Sequence, residues 1–202
     1  MLSFKFPGSR FNRGVTAMAM LVAALFCWHS WDNPGAIFAH FRKAVADGLT
    51  FATSILGFLV AGFTVFATIT KIEIFVSMAR IEYENTRESY LKYNLNAFVL
   101  AFVHYIALVF FCIVAQLFGQ TNGVLALVLH KLTSIYPTSE QTIRAATASA
   151  LFTFFAAWMV YLLVLLKSFI YNTYQVLTTA VRLELQQGQD AEQSAKGSSE
   201  QP

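Results

Sequence analysis

The chain has 202 residues, of which 56% are hydrophobic and only 12% are charged, and its mean hydropathy is +0.55. A soluble domain carries about a quarter charged residues, so this composition excludes an ordinary soluble globular protein. The formal net charge of +3 provides no basic surface that would indicate direct binding of nucleic acid.

Four apolar runs dominate the sequence. The hydrocarbon core of a bilayer is about 30 Å thick and needs roughly 20 apolar residues at 1.5 Å per residue. The runs cover residues 14–31, 49–70, 95–118 and 147–170, and the last three contain no Asp, Glu or Arg. We therefore predict an all-α, polytopic membrane protein with four transmembrane helices.

The first run follows basic residues, as the apolar part of a secretory signal peptide does. It ends in Trp28 and Trp31, however, and it lacks a convincing small-x-small cleavage site, so we expect an uncleaved first span. Cys27 and Cys112 both fall inside predicted spans, which favours apolar packing over a disulfide.

The distribution of Lys and Arg predicts the orientation, because cytoplasmic loops are enriched in these residues. Ten of the 14 lie on the side that holds both termini and the 71–94 connection, and the other four lie on the opposite side. Both termini are therefore predicted to be cytoplasmic. The compact form suggests the inner (plasma) membrane of a bacterium.

Helices two and three are predicted to extend beyond the lipid. Neither Gly nor Pro occurs between Gly62 and Gly119, so the second helix is expected to run from residue 49 to residue 83. Asn85 and Glu88 have the spacing of a capping box that would open the third helix. The two helices would form a hairpin that protrudes roughly 15–20 Å into the cytoplasm.

The fourth helix should begin at the capping box of Thr138 and Gln141 and continue to residue 187. Gly188 should end it, leaving 188–202 as a disordered cytoplasmic tail without large apolar residues. Beyond the membrane this helix carries an apolar row, predicted to pack on the hairpin or on a neighbouring subunit. The row consists of Ile170, Tyr174, Leu177, Val181 and Leu185.

Two short helices are expected on the outer side. Asn33 and Pro34 have the pattern of an N-cap followed by proline at the first helical position. The helix that follows would lie at the membrane interface. Its apolar face holds Ile37, Phe41 and Val45. Residues 124–135 are apolar but too few to cross, so they would form a second interfacial helix or a re-entrant segment.

The sequence contains no catalytic, cofactor-binding or metal-binding motif, so we predict a protein that is not an enzyme and has no cofactor. His104 lies midway in the third span, where an ionisable residue is a candidate proton relay or pore liner. The alternative is a structural hydrogen bond to another helix. Gln116, near the outer end of the same span, is expected to be structural.

A stripe of small and hydroxylated residues follows the second span at spacings of 3, 4, 3 and 4. It consists of Ser54, Gly57, Ala61, Thr64 and Thr68. Such a stripe lets two backbones approach closely in lipid. It would pack either within the four-helix monomer or between subunits, and further small residues on the third and fourth spans favour a homo-oligomer.

The predicted cytoplasmic layer, 71–94 together with 171–187, is the largest soluble surface of the chain. It contains Arg and Tyr, which often anchor interfaces. The candidate partner-binding residues are Arg80, Glu84, Arg87, Tyr90, Tyr174 and Arg182. The alternative is a solvated charged face that only marks the membrane boundary.

The segment 57–68, GFLVAGFTVFAT, together with the four spans and their extensions, resembles small bacterial inner-membrane proteins of phage-defence systems, in particular the membrane subunits of Kiwa systems. The resemblance implies a homotetrameric component that senses infection at the envelope. It also implies a cytoplasmic, DNA-binding partner protein, and it assigns no individual binding residue.

We therefore predict a non-enzymatic, oligomeric inner-membrane scaffold or sensor that docks a cytoplasmic partner and functions in antiviral defence. The alternative is a pore, either a channel or an effector that depolarises the membrane. In that case Thr64, Thr68 and rings of Phe would line a hydrophobic gate on the oligomer axis.

Overall fold

The computed structural model describes residues 10–69, 72–82, 89–120, 123–135 and 140–199. These residues form α-helices without any strand, and an isolated antiparallel bridge pairs Glu82 with Ser89. The helices are α1 (Arg10–His29), α2 (Pro34–Ile69), α3 (Ile72–Arg80), α4 (Tyr90–Phe118), α5 (Val124–Ile135) and α6 (Glu140–Ser199). The all-α prediction is confirmed.

Four helices, α1, α2, α4 and α6, are long and apolar enough to cross a membrane, which confirms the predicted number of spans. The protein is therefore a multi-pass membrane protein. Helix α6 contacts each of the other five helices and forms the centre of the bundle.

Helices α1 and α6 are antiparallel. The Lys167 ammonium donates a hydrogen bond to Asn12 Oδ1 at 3.1 Å, whereas Cys27 Sγ lies 4.0 Å from the carbonyl oxygen of Ser149. The beginning of α1 and the part of α6 that follows the apolar span therefore lie at the same end of the bundle.

The main core lies between α2, α4 and α6. Helix α4 runs antiparallel to α6, since Phe98 lies 5.5 Å from Phe169 and Phe111 lies 6.0 Å from Phe155, measured between ring centroids. Both cysteines are free and buried, as the sequence predicts. The core residues are Phe41, Val45, Ala52, Leu59, Ala101, Tyr105, Leu108, Cys112, Phe155, Leu162, Leu165 and Phe169.

The prediction of a separate outer helix is wrong, because α2 is one helix over Pro34–Ile69. Its first three buried residues are Ile37, Phe41 and Val45. They begin a buried face that continues into the core, so tertiary packing holds this segment in line with the span. Gly48 does not break the helix; a Cβ there would lie 2.7 Å from Phe155 Cζ, so glycine allows α6 to approach.

The predicted N-cap of α2 is confirmed, whereas α4 starts later than the sequence predicted. Asn33 caps α2 as predicted, since its Oδ1 accepts a hydrogen bond from the Ala36 backbone N–H at 3.1 Å. Helix α4 begins at Tyr90 after the N-cap Ser89. The predicted capping boxes at 85–88 and 138–141 both include residues outside the described ranges. Helix α5 has the predicted bounds.

A second layer lies beyond the spans, and we call it the α3 layer. It comprises α3, the segment 89–94 and α6 from Tyr171 onward. The backbone N–H of Tyr90 donates to the Ile81 carbonyl at 2.8 Å and holds the start of α4 against the end of α3. The small core of the layer consists of Ile74, Met78, Val176 and Ala180.

Within the described ranges, the apolar row is not the face of α6 that packs on α3, so that part of the prediction is wrong. Helix α6 meets α3 through the face of Val176 and Ala180, whose small side chains permit close packing. The row lies on another side of α6 and is 45–63% exposed. Its members are Ile170, Tyr174, Leu177, Val181 and Leu185.

Helix α6 continues through Gly188 to Ser199, so the predicted helix end is wrong for the described part of 188–202. A single glycine in a helix costs only about 1 kcal/mol relative to alanine. The Gln, Ala and Glu residues that follow Gly188 are good helix formers, and they outweigh it.

Candidate functional site

One face of α2 carries a continuous line of polar and small residues, which we call the α2 line. Its residues follow one another at spacings of 3 and 4 in strict alternation, and all nine are exposed. They are His40, Lys43, Asp47, Thr50, Ser54, Gly57, Ala61, Thr64 and Thr68. A strict heptad spacing of this kind is the pattern of a helix–helix seam.

The inner part of the α2 line is the small-residue stripe noticed in the sequence. Nothing lies within 4 Å of the position that a Cβ on Gly57 would occupy. The hydroxyls of Ser54, Thr64 and Thr68 donate to carbonyl oxygens of their own helix at 2.7–2.9 Å. No other described helix therefore covers the stripe, and its hydroxyls need no partner outside α2.

The outer part of the α2 line carries three ionisable residues. His40, Lys43 and Asp47 line a cleft of about 290 Å³ together with Phe26, Ala44 and Phe152. The His40 ring meets the edge of Phe26 at 5.2 Å between centroids. Within the described ranges, neither Lys43 nor Asp47 forms an ion pair or a hydrogen bond with another residue.

Sequence reasoning missed this outer part, although the signal is present. The spacing of the small-residue stripe continues back from Ser54 through Thr50 to Asp47 and beyond. The assumed helix start at residue 49 interrupted the pattern before it reached the charged residues.

Two neighbouring polar residues of the third span, His104 and Tyr105, make different contacts. His104 is half-buried; its Nδ1 lies 2.8 Å from the Leu100 carbonyl of its own helix, and its ring lies 5.6 Å from Tyr161. The bond between helices comes instead from Tyr105, whose hydroxyl donates to the Leu162 carbonyl at 3.0 Å. Tyr105 therefore links α4 to α6 within the apolar core.

Gln116 is exposed near the end of α4. It lines a cavity of about 310 Å³ whose other polar side chains are Arg42 and Gln120. The chain leaves α4 at Gly119, whose N–H donates to the Ala115 carbonyl at 2.8 Å.

The predicted partner-binding residues separate into three groups. Arg80, Tyr174 and Arg182 are exposed on the α3 layer. Tyr90 is half-buried and structural, because it packs on the core of the layer and its hydroxyl accepts a hydrogen bond from Thr179 at 3.3 Å. Residues 84 and 87 lie outside the described ranges.

An apolar groove joins the apolar row of α6 to the bundle. It has a volume of about 490 Å³ and lies between α2, α3, α4 and α6. Phe58, Gly62 and Phe63 of α2 form one side of it, and Ile170 and Tyr174 form another. The row therefore continues an apolar surface that starts at the spans.

Within the described ranges, no three His, Cys, Asp or Glu side chains are grouped so that they could hold a metal ion. The polar groups of the α2 line and the apolar row of α6 are instead suited to contact with another molecule. No family model matches the chain, and neither a curated protein nor a solved structure is detectably similar to it.

Proposed function

We propose that this chain is a non-enzymatic, self-associating membrane scaffold or sensor that docks a cytoplasmic protein on its α3 layer. The observation that carries the proposal is that this layer has a buried core of its own and still leaves an apolar row exposed. A helix end that only marks the membrane boundary needs neither feature.

The exposed surface of the layer has the composition of a binding site. Tyr174 belongs to the apolar row, and Arg182 lies one residue after its member Val181. Tyr and Arg are the residue types most often found at energetic centres of interfaces. Arg80 adds a second exposed cation on the same layer.

Self-association is supported by the inner part of the α2 line. Lipid is as apolar as leucine, so helices associate in a bilayer through close contact of small residues. Gly57 and Ala61 are exposed at the centre of such a face, and no described part of the same chain packs against them.

The ten-to-four distribution of Lys and Arg supports placing both termini and the α3 layer in the cytoplasm. A bacterial inner membrane and a role in defence against phage rest on the resemblance alone. Deleting the gene from its host and counting plaques tests that role.

The docking test is purification in mild detergent followed by native mass measurement. The native chain should carry a second protein at fixed stoichiometry. Arg182→Glu should weaken its binding at least about tenfold, as loss of an interface anchor does. Arg144→Glu is the matched control, because Arg144 is an exposed arginine near the start of α6, at the other end of the bundle. Equal loss in both variants, or no loss in either, would refute docking at the α3 layer.

A pore remains the second candidate, because Thr64 and Thr68 are exposed on one face of α2. Their hydroxyl protons are used within the helix, so they would offer only acceptor oxygens to an axis. Reconstitution in dye-loaded liposomes separates the two candidates. A scaffold leaves the liposomes tight, and a pore releases the dye.

A further inference from the structure

We propose that copies of this chain meet along the α2 line, and that its outer part, with His40, Lys43 and Asp47, faces a water-filled cavity between copies at membrane depth. This inference rests on the self-association proposed above. It adds the surface through which the copies meet and the chemistry of that surface.

The first step is the depth of the charged residues. Asp47 precedes Gly48, which packs against Phe155 of α6. At this level the outside of the bundle is strongly apolar, since Phe154 is 55% exposed and Phe110 of α4 is 69% exposed. On helices that span a membrane, an exposed apolar surface of this kind faces lipid, so we infer that Asp47 lies at a level where lipid surrounds the other helices.

The second step is the environment of the charges. A charged side chain facing hydrocarbon is costly, and such residues face a bundle interior, a partner or a water-filled cavity. Among the residues that the structure describes, Lys43 and Asp47 have no ion pair or hydrogen-bond partner. The face that carries them must therefore be turned away from lipid.

The third step identifies what covers this face. The line alternates spacings of 3 and 4 from His40 to Thr68, which is the period of two helices wound around each other. All copies cross the membrane in the same direction, so the same residues of each copy lie at the same depth. A second copy therefore matches the line along its whole length, which is about 42 Å.

The fourth step distinguishes the two parts of the line. The small residues at Gly57 and Ala61 permit direct backbone contact and seal the inner part. The outer part instead borders a cleft of about 290 Å³. A water molecule occupies about 30 Å³ of liquid, so the cleft has room for several waters that hydrate Lys43 and Asp47.

The test uses single cysteines on a background of Cys27→Ala and Cys112→Ala, in intact membranes. A membrane-impermeant thiol reagent is added from the side of the α1–α2 turn. Lys43→Cys and Asp47→Cys should react at least about tenfold faster than Phe110→Cys and Phe154→Cys, because the reactive thiolate forms only in water. The two Phe positions are exposed apolar controls near the level of Asp47.

A second measurement on the same background is oxidative cross-linking. Gly57→Cys and Ala61→Cys should form disulfides between copies, and Ala107→Cys, an exposed alanine on α4, should not. Equal reactivity at Phe154 and Asp47 would place this level outside the bilayer and overturn the inference. Inertness of Lys43→Cys and Asp47→Cys would overturn it as well, because the outer part would then be dry.

The cross-links also separate this inference from the proposed function. If native mass measurement shows an oligomer but Gly57→Cys and Ala61→Cys do not cross-link, the copies meet elsewhere and only the inference fails. If the chain is monomeric in mild detergent and in membranes, the proposed self-association fails with it.

Discussion

The Tyr105 hydroxyl donates a hydrogen bond to the backbone carbonyl oxygen of Leu162 at 3.0 Å, and both residues are fully buried. This bond joins α4 to α6 in the middle of the apolar core. The Leu162 carbonyl oxygen lies inside α6, where one of its lone pairs is available for the helical hydrogen bond. The tyrosine hydroxyl donates to the second lone pair of that oxygen. Because the hydroxyl is buried in the core, it cannot replace this bond by one to water. The bond therefore fixes the position of α4 along α6.

Replacing Tyr105 by Phe should therefore destabilise the bundle. Hydrogen bonds between membrane helices contribute about 0.6 kcal/mol on average and at most about 1.7 kcal/mol. Thermal unfolding of the detergent-solubilised protein measures the change. Tyr161→Phe is the matched control, since Tyr161 lies on α6 beside His104 and its hydroxyl has no hydrogen-bond partner in the described part of the chain. The interpretation of Tyr105 is wrong if both variants lose the same stability.

Gly48→Ala should cost about 1–3 kcal/mol, the usual penalty for overpacking a core. The added Cβ would lie 2.7 Å from Phe155 Cζ. Phe155 cannot move aside easily, because its ring packs between Phe41 at 5.9 Å and Phe111 at 6.0 Å.

Gly62→Ala is the matched control for Gly48→Ala, because a Cβ at Gly62 meets nothing within 4 Å. In the same unfolding measurement Gly62→Ala should raise stability by up to about 1 kcal/mol, since alanine favours the helix. Opposite signs for the two glycines are expected. Equal effects would contradict the packing of α2 against α6.

Hydropathy and the positions of Gly, Pro and capping residues predict the four spans, because these signals depend only on the local sequence. They do not predict how far each helix continues. The second helix was expected to start at residue 49, yet α2 already includes Gly48, a packing residue whose role depends on Phe155, far away in the sequence. Gly188 was expected to end α6, but the favourable residues after it outweigh one glycine.

The candidate surfaces show the same limit. The sequence identifies the apolar row on α6, but it does not show that α3 packs on a different face, that of Val176 and Ala180. The choice follows from packing, since Val176 and Ala180 allow a closer approach than the bulky row residues do. On α2 the face that packs in the core is likewise not the small-residue stripe. Leu59 lies off that stripe and is fully buried in the core.

Ala61→Leu should shift the oligomer toward smaller species, because a bulky side chain on the small-residue stripe forces the two backbones apart. Ala107→Leu makes the same substitution at an exposed alanine of α4 and should leave the oligomer intact. Native mass measurement in mild detergent reports both. An unchanged oligomer in Ala61→Leu would mean that the stripe faces lipid.

The orientation can be tested at two exposed positions at opposite ends of the bundle, Asp32 in the α1–α2 turn and Glu82 after α3. With both native cysteines replaced, Asp32→Cys should react with an impermeant reagent added outside the cell. Glu82→Cys should react only after permeabilisation, as the distribution of Lys and Arg predicts. Reversed accessibility at Asp32 and Glu82 would invert the orientation.

The apolar row on α6 should behave as a binding surface rather than as part of the core. Val181 is 57% exposed in the free chain, so it contributes little to the packed core. Val181→Gln should therefore leave the unfolding temperature of the protein unchanged. If the docked protein covers the row, the same substitution should weaken its binding by about 1–2 kcal/mol, or roughly 5- to 30-fold.

Val76→Gln is the matched control, because Val76 is a valine of the same layer on α3 and is 45% exposed. Titration of the purified scaffold with its co-purifying protein measures both affinities. An affinity of Val181→Gln equal to that of the unsubstituted chain would show that the docked protein does not contact the row.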